Sequence, residues 1–229
     1  FEAMNYSVRA GGKRLRPLFM QEICRLFTGE VQPAVVPFMA AIEMIHTSSL
    51  VHDDLPCMDD DMMRRGKAST WAEYGEDMGV LAGDALMIYA FEVAAKAFNE
   101  VSEAEDLKRV GRAIEILAAK TGIYGMIGGQ TVDVELSAGP VPKNKLDFIY
   151  RLKTGALIEA SMLIGAVLGG AAEEDCKIVE SLAGKVGLAF QIQDDILDVT
   201  GDQKVLGKEA GSDEKNQKTT YVTIEGLEK

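Results

Sequence analysis

The chain contains the stretch Leu50-Val51-His52-Asp53-Asp54-Leu55-Pro56-Cys57-Met58-Asp59-Asp60-Asp61, which follows a long apolar run. The apolar spacing predicts a helix, and Pro56 disfavours helical geometry at the residue before it, so this helix should end near Asp54. The chain then turns back, and we expect Asp53 and Asp59 to converge across the bend. Carboxylates held together in this way repel one another unless a cation or water lies between them.

A second acidic motif, Gln191-Ile192-Gln193-Asp194-Asp195-Ile196-Leu197-Asp198, also ends an apolar run. A helix places Asp194 and Asp198 on one face, while Asp195 points away. Hard oxygen ligands favour Mg²⁺ or Ca²⁺, and Mg²⁺ takes one or two carboxylates together with water and substrate phosphates. We therefore expect one multi-metal site with a phosphorylated ligand bridging both motifs. The alternative is a pair of solvated acidic turns, which the apolar setting of the second motif disfavours.

Hydrophobic periodicity predicts helices along nearly the whole chain. The predicted helices cover about 17–27, 33–54, 77–99, 105–121, 123–137, 143–151, 154–168 and 173–199. Glycines and Gly139-Pro140 interrupt the pattern, and no sustained alternation of period two indicates strands. The fold class is therefore predicted to be all-α, and helices that are apolar around much of their circumference suit the centre of a bundle.

Composition limits the architecture and the compartment. With 229 residues and 47% hydrophobic content the chain can bury one sizeable core, and without linkers or repeats it is predicted to be one domain over 1–229. Three cysteines without metal-binding spacing favour a reducing, cytoplasmic location. The longest apolar stretch, 156–172, falls short of a bilayer span, so it is interpreted as a buried helix and no transmembrane segment is expected.

Charge limits the possible ligands. The formal net charge of −12 argues against nucleic acid or an anionic membrane surface as the main partner. An anionic ligand needs local cations, which Gly11-Gly12-Lys13-Arg14-Leu15-Arg16-Pro17 and Arg64-Arg65-Gly66 supply. His46 lies seven residues before Asp53, about two helical turns away on the same face, and could donate to a second phosphate. Taken singly, each feature is more typical of a solvated basic turn or an ordinary polar residue.

Several segments occur together in an order that resembles one family, the trans-prenyl diphosphate synthases, also called polyprenyl synthetases. They are Gly11 to Pro17; the Asp53 motif with Arg64-Arg65-Gly66; Leu81-Ala82-Gly83-Asp84; Gly128-Gly129-Gln130; Lys153-Thr154-Gly155; Gln191 with Asp194 to Asp198; Leu206-Gly207-Lys208; and Lys218-Thr219-Thr220-Tyr221. The resemblance implies the isoprenoid synthase fold, a single-domain, all-α antiparallel bundle around a central apolar cavity. The family's first and last helices are missing, so we expect the domain over 1–229 to be incomplete at both ends.

The resemblance also implies a role for each site residue. Magnesium would be bound by Asp53, Asp54, Asp59, Asp194, Asp195 and Asp198, with three ions when substrate is bound and Mn²⁺ as an alternative metal. The allylic diphosphate pocket would comprise Arg64, Lys153, Thr154, Gln191, Lys208 and Lys218. The isopentenyl diphosphate pocket would comprise Lys13, Arg16, His46 and Arg65. Asp53, Asp59, Asp194, Lys153 and Arg64 are the predicted catalytic residues, and the implied assembly is a homodimer.

The implied reaction is chain elongation, in which an allylic diphosphate ionises with the help of Mg²⁺ and isopentenyl diphosphate captures the carbocation. Ser48 and Ser49, five and four residues before Asp53, would line the floor of the product cavity. Small residues there, with the enlarged spacing of the Asp53 motif, resemble geranylgeranyl (C20) synthases; farnesyl (C15) diphosphate is the alternative product. Two more distant alternatives are a class I terpene cyclase, which would need no isopentenyl pocket, and a non-catalytic subunit, which should have lost aspartates or lysines.

Overall fold

The computed structural model describes residues 1–136, 139, 141–200 and 219–226, and these residues are mostly helical. The α-helices of these residues are α1 (Glu2–Val8), α2 (Leu15–Thr28), α3 (Val35–Asp53), α4 (Thr70–Tyr74), α5 (Glu76–Ala95), α6 (Ala104–Thr121), α7 (Met126–Glu135), α8 (Lys143–Ile149), α9 (Ala156–Leu168), α10 (Glu173–Thr200) and a further short helix, Tyr221–Glu225. Within this described part the only strands are β1 (Met63–Arg64) and β2 (Lys67–Ala68), which form a minimal antiparallel hairpin. The all-α prediction is confirmed.

Most predicted helix ends lie within a few residues of the observed ones. The helix predicted at 33–54 is α3, which ends at Asp53 with Asp54 as its C-cap. The break predicted between 151 and 154 is wrong, because a π-helical segment, Tyr150–Gly155, connects α8 directly to α9. The helix predicted at 123–137 is α7, and position 137 lies outside the described residues. Sequence periodicity missed α1 and α4 because each spans too few residues to show a repeat.

The described residues form two compact units, and the first comprises Phe1–Ala118 and Ala160–Glu180. Its centre is α3, which packs mainly against α5 and then against α2. Phe38, Ile42 and Ile45 of α3 have no exposed area. This burial follows from the composition of α3, which is apolar around most of its circumference and therefore needs neighbours on several sides.

The second unit comprises Ala119–Glu159 and the described part of Ser181–Lys229. A small core in this unit contains Leu146, Ile149 and Tyr150. Glycines allow helix backbones to approach closely here: a Cβ atom at Gly187 would lie 2.8 Å from the Cα atom of Gly155, and one at Gly129 would overlap the backbone of Lys153. These contacts hold α7 and α10 against the π-helical segment. The prediction of a single domain over 1–229 stays a prediction.

Three apolar stretches of the sequence form helices in the structure. The stretch 156–172 contains α9, in which Ala156, Leu157 and Ile164 have almost no exposed area, so its prediction as a buried helix is confirmed. Two other helical stretches of the described part, Val35–Asp53 and Glu76–Glu100, are long and apolar enough to cross a membrane by length and composition alone. Core helices meet the same criterion, and the absence of a transmembrane segment stays a prediction.

Candidate active site

The first acidic motif forms a tight turn at the end of α3. The backbone N–H of Asp59 donates to the carbonyl oxygen of Asp53 at 2.9 Å, which closes the turn that Pro56 initiates. Asp53 and Asp59 are both half-buried. The predicted bend is therefore confirmed and brings the backbones of the two residues together, whereas the convergence of their carboxylates on a metal stays a prediction.

The donor set of this turn fits magnesium. Among the described residues no group of three or more His, Cys, Asp or Glu side chains is arranged to hold a metal by itself. Magnesium does not require such a group, since it is commonly held by one or two carboxylates and completes its octahedron with water and substrate phosphate. Asp53 and Asp59 could supply those carboxylates, whereas a tightly bound structural ion would need more protein ligands.

Asp54, the next residue, has a different environment. Its side chain is buried and accepts hydrogen bonds from Arg64, with 2.9 Å between Arg64 Nε and Asp54 Oδ1. Burial raises the pKa of Asp54 to about 6, although the hydrogen bond and charge of Arg64 act in the opposite direction. Arg64 also contacts Asp61 at 3.1 Å. Asp54 thus orients Arg64 in this structure, and its role as a metal ligand stays a prediction.

The hairpin places the two neighbouring arginines differently. Arg65 and Gly66 form its turn, with φ values of 54° and 77°. Two residues with positive φ are typical of the type I′ turn that joins two-residue hairpins. Arg64 binds Asp54, whereas the guanidinium of Arg65 donates to the carbonyl oxygen of Gly11 and lies where a Cβ atom on Gly12 would be only 2.9 Å away. No alternation of apolar residues predicted strands here, and the hairpin explains why a glycine follows the arginine pair.

A cluster of cations surrounds His46. Burial lowers the pKa of His46 well below its ordinary value, and the charges of Arg16, Arg65, Arg14 and Arg64 lower it further. Burial also lowers the pKa of Arg16 to about 10, with Arg65 adding to the effect and Glu43 opposing it. His46 is therefore neutral at physiological pH, and the neighbouring arginines repel one another. The structure thus brings together three of the four residues predicted to bind isopentenyl diphosphate; the fourth, Lys13, is exposed nearby in sequence.

An acidic residue that the sequence did not predict, Glu43, lies among the arginines around His46. Glu43 is buried on α3, three residues before His46, and its Oε2 accepts from Arg14 Nη1 at 2.6 Å. Arg14 also donates to the carbonyl oxygen of Val8 at 2.6 Å. The spacing of three residues from His46 was the available signal, because residues so separated share a helix face.

A motif on α5 supports the Asp53 turn from the side. A side chain at Gly83 would overlap the ring of His52, so only glycine lets α5 approach α3 at this level. His52 Nε2 lies 3.2 Å from the carbonyl oxygen of Val80 and 3.5 Å from a carboxylate oxygen of Asp84. The Leu81-Ala82-Gly83-Asp84 segment therefore fixes the residue that precedes Asp53.

The two residues predicted to line the floor of the product cavity are small, and each donates a hydrogen bond within its own helix. Ser48 has no exposed area, and its hydroxyl donates to the carbonyl oxygen of Ile45 at 2.8 Å. The hydroxyl of Ser49 donates to the carbonyl oxygen of His46 at 2.9 Å. Each hydroxyl bonds its own helix, so neither needs a polar partner from another element. Their role in chain-length control stays a prediction.

The second acidic motif lies in the second unit, on α10. Asp195 is buried and accepts from Tyr150 Oη at 2.6 Å, from the backbone N–H of Tyr221 at 3.0 Å and from Gln191 Nε2 at 3.2 Å. Burial raises the pKa of Asp195, although all three hydrogen bonds act to lower it. Tyr150 was not predicted as a site residue, and Tyr221 was predicted only as part of the Lys218-Thr219-Thr220-Tyr221 motif. The metal role of Asp195 stays a prediction.

Asp194 and Asp198 occupy the same helix as Asp195 but differ in exposure. Asp194 is half-buried, whereas Asp198 is buried. The convergence of these residues with Asp53 and Asp59 on one multi-metal site stays a prediction.

The π-helical segment carries Lys153 and Thr154. Lys153 Nζ lies 2.7 Å from a carboxylate oxygen of Asp133, and Thr154 Oγ1 donates to Gln191 Oε1 at 2.6 Å. Because the amide oxygen of Gln191 accepts from Thr154, its amide nitrogen faces Asp195 and donates to it. The structure thus brings Thr154 and Gln191 together as predicted, and π-helical turns of this kind occur frequently at functional sites. Asp133 was missed, although it follows Gly128-Gly129-Gln130 by three residues.

Lys208 and Lys218 lie outside the described residues, as does the Leu206-Gly207 segment.

The whole chain matches a sequence profile of one family, Polyprenyl synthetase, over residues 1–229. It is 48% identical to large subunit 1 of the chloroplastic heterodimeric geranylgeranyl pyrophosphate synthase of Arabidopsis thaliana, covering 100% of this chain and 62% of the relative. It is 45% identical to the chloroplastic geranylgeranyl pyrophosphate synthase of Catharanthus roseus, covering 100% and 63%. The chain thus spans less than two thirds of the length of these curated relatives.

A solved structure with the same fold is a geranyltransferase from Helicobacter pylori complexed with magnesium and isoprenyl diphosphate. The TM-score is 0.86 at 36% identity, and the match covers 99% of this chain and 74% of the other. The chain thus has the all-α isoprenoid synthase fold. The chain belongs to the polyprenyl synthetase family.

Proposed function

We propose that this protein is a chain-elongating trans-prenyltransferase, which condenses isopentenyl diphosphate with an allylic diphosphate. The observation that carries the proposal is the arginine cluster around neutral His46, which lies on the same helix as the Asp53 turn. The arginine cluster can hold a diphosphate without metal, whereas the acidic turn can do so only through a cation. Two different ways of binding a diphosphate are what an enzyme with two diphosphate substrates needs.

Three sets of residues are assigned to metal binding, charge neutralisation and substrate positioning. Asp53, Asp59 and Asp194 would bind Mg²⁺, and the bound ions supply stabilisation of the negative charge that develops on the departing pyrophosphate. Lys153 and Arg64 would neutralise the same charge from the protein side. Arg16, Arg65 and His46 would hold isopentenyl diphosphate so that its double bond meets the allylic carbon. The allylic C–O bond breaks, a new C–C bond forms, and a proton is lost, for which the released pyrophosphate is the proposed acceptor.

The proposed product is geranylgeranyl diphosphate, and farnesyl diphosphate is the alternative. Small residues at positions 48 and 49 support the longer product. The names of the relatives support it as well, since those from Arabidopsis thaliana and Catharanthus roseus are geranylgeranyl pyrophosphate synthases.

Incubation of the full chain with dimethylallyl and isopentenyl diphosphates and Mg²⁺, followed by chromatography of the dephosphorylated alcohols, tests the proposal. We expect elongated products that depend on both substrates, with the C20 alcohol dominant. Products that arise from an allylic diphosphate alone would instead indicate a terpene cyclase. A folded chain that yields no elongated product would overturn the proposal and favour a non-catalytic subunit.

Ser48→Phe is expected to shorten the product. A helix rises about 1.5 Å per residue, so Ser48 lies roughly 7.5 Å along α3 from Asp53. The site is fully buried, and a large ring there overpacks its surroundings at a cost of about 1–3 kcal/mol, which should bias release toward C15. Ser48→Ala is the matched control, because it keeps the small size, and it should leave the C20 to C15 ratio unchanged. A wild-type protein that stops at C15, with no change in Ser48→Phe, would contradict the C20 assignment.

We further propose a homodimer. Leu81 and Ile88 lie seven residues apart on one face of α5 and expose 59% and 72% of their area. Two large apolar side chains at this spacing form a stripe that a second copy of the chain could cover. Light scattering coupled to size exclusion measures the assembly directly, and a mass of one chain at micromolar concentration would contradict the proposal.

The proposed compartment is the cytoplasm. Cys24, Cys57 and Cys176 are free thiols, which supports a reducing environment. The relatives from plants are named chloroplastic, so localisation by fluorescence microscopy of the tagged protein is the test, and a chloroplast signal would contradict the proposal.

A further inference from the structure

Glu43 is a buried carboxylate inside a cluster of cations. It lies on α3 with 9% of its area exposed, and its Oε2 is 2.6 Å from Arg14 Nη1. The charge of Glu43 also raises the pKa values of Arg16 and Arg65, against burial and the neighbouring arginines, which lower them. One carboxylate thus interacts with three of the arginines that surround His46.

Arg14 is held in an unusual backbone conformation. Its φ of 51° and ψ of 35° place it in the left-handed region, at the N-cap of α2. A residue with a side chain adopts this conformation only when its surroundings stabilise it. Here the guanidinium of Arg14 bridges Glu43 on α3 and the carbonyl oxygen of Val8 at the end of α1. The ion pair with Glu43 therefore fixes the path of the chain that leads into Arg16.

Arg65 contacts the chain just before Arg14, at Gly11 and Gly12. Its guanidinium donates to the carbonyl oxygen of Gly11 and is in contact range of Gly12. Arg16, two residues after Arg14, is left with a buried Nε atom that has no hydrogen-bond partner in the described protein. Arg14 is thus engaged with the protein, whereas Arg16 retains a donor for a ligand.

We propose that Glu43 is a positioning residue for isopentenyl diphosphate. It anchors Arg14 and balances the charges of Arg16 and Arg65, so that these two arginines are held close together before the diphosphate binds. This inference rests on the proposed function, because it assigns Glu43 to the isopentenyl pocket of that reaction. Glu43 touches no reacting atom and acts only through the arginines.

Binding of isopentenyl diphosphate without Mg²⁺, measured by isothermal titration calorimetry, isolates this pocket, since the acidic motifs hold a diphosphate only through metal. Glu43→Ala is expected to raise Kd by about tenfold or more, because the acceptor for Arg14 and the balancing charge are both lost. Glu43→Gln keeps an acceptor oxygen and should have a smaller effect, and Glu43→Asp, which keeps the charge, should recover part of the affinity. With full substrates, KM for isopentenyl diphosphate should rise, while kcat and the allylic KM stay within about twofold.

Glu22→Gln is the matched control. Glu22 forms an exposed ion pair with Arg25 at 2.9 Å on α2, and exposed pairs of this kind contribute little. It should leave Kd unchanged. The double variant Arg14→Gln/Glu43→Gln should have a Kd for isopentenyl diphosphate no higher than that of whichever single variant binds less tightly. This is expected because the two residues act as one unit.

The possible failures are distinguishable. If the wild-type protein binds isopentenyl diphosphate and Glu43→Gln and Glu43→Ala bind it equally well or more tightly, the positioning role is wrong, whatever the change in Tm. If the wild-type protein itself does not bind isopentenyl diphosphate without Mg²⁺, the metal-free pocket and this inference are wrong, whereas the proposed function is overturned only if the chain forms no elongated product from both substrates and Mg²⁺.

Discussion

Replacement of Asp53 by asparagine is expected to lower turnover by about 10³-fold or more while the helical fold stays intact. The amide keeps the shape of the side chain but is a much weaker ligand for Mg²⁺, so the charge on departing pyrophosphate loses its stabilisation. The stability of the protein should change little, since the charge of Asp53 repels its neighbour Asp54 and attracts Arg64, and the two effects oppose each other. Initial rates as a function of Mg²⁺ concentration, with Tm from thermal unfolding, are the measurements.

Asp60→Asn is the control for this experiment. Asp60 belongs to the same turn and is exposed, and asparagine tolerates its φ of 52°. It should retain activity within a few-fold. Asp194→Asn in the second motif should lose as much activity as Asp53→Asn. An Asp53→Asn enzyme with the wild-type rate and the wild-type Mg²⁺ dependence would show that the first motif does not bind the essential metal.

The parts of the structure that were predictable are those that depend on local sequence. Pro56 stops α3 within the length of one turn, and the hydrogen bond from Asp59 to Asp53 spans only six residues. The helices themselves follow from periodicity over ten to twenty-eight residues, as in α7 and α10. In such cases the residues that decide the conformation lie beside one another in the chain.

The ion pairs were not predictable, because their partners are distant in sequence. Arg14 pairs with Glu43, Arg64 with Asp54 and Lys153 with Asp133, at separations of 29, 10 and 20 residues. The chain has 36 acidic residues, and neither spacing nor composition selects among them. The left-handed backbone at Arg14 was likewise not predictable, because the basic motif does not encode it in any local pattern.

The π-helical segment was missed for a different reason. Its wider turn shifts the phase of the apolar pattern between α8 and α9, and a phase shift in a sequence is indistinguishable from a break between two helices. The consequence for the site is direct, since this turn carries Lys153 and Thr154. The sequence motif could therefore point to Lys153 and Thr154 as candidate site residues, although the π-helical geometry of the turn that carries them was not predictable.

Arg16→Met and Lys153→Met are expected to affect different substrates. Loss of a charge-assisted hydrogen bond costs roughly 1.5–3 kcal/mol, which corresponds to an increase in KM of about 10- to 160-fold. For Arg16→Met the increase should fall on isopentenyl diphosphate, and for Lys153→Met on the allylic substrate. Both KM values are measured by varying one diphosphate at saturation of the other.

Measuring Tm beside the two KM values distinguishes a loss of substrate binding from a loss of folding stability. Burial and Arg65 lower the pKa of Arg16 to about 10, so its charge opposes folding and Arg16→Met should keep or raise Tm. Lys120→Met is the control for Lys153→Met, because Lys120 forms a similarly half-buried ion pair with Glu159 at 2.6 Å and has no predicted substrate role. It should lower Tm without changing either KM. If Arg16→Met and Lys153→Met raise both KM values equally, the two diphosphates are not bound by separate sets of residues, and the division between a metal-free pocket and a metal-dependent one is wrong.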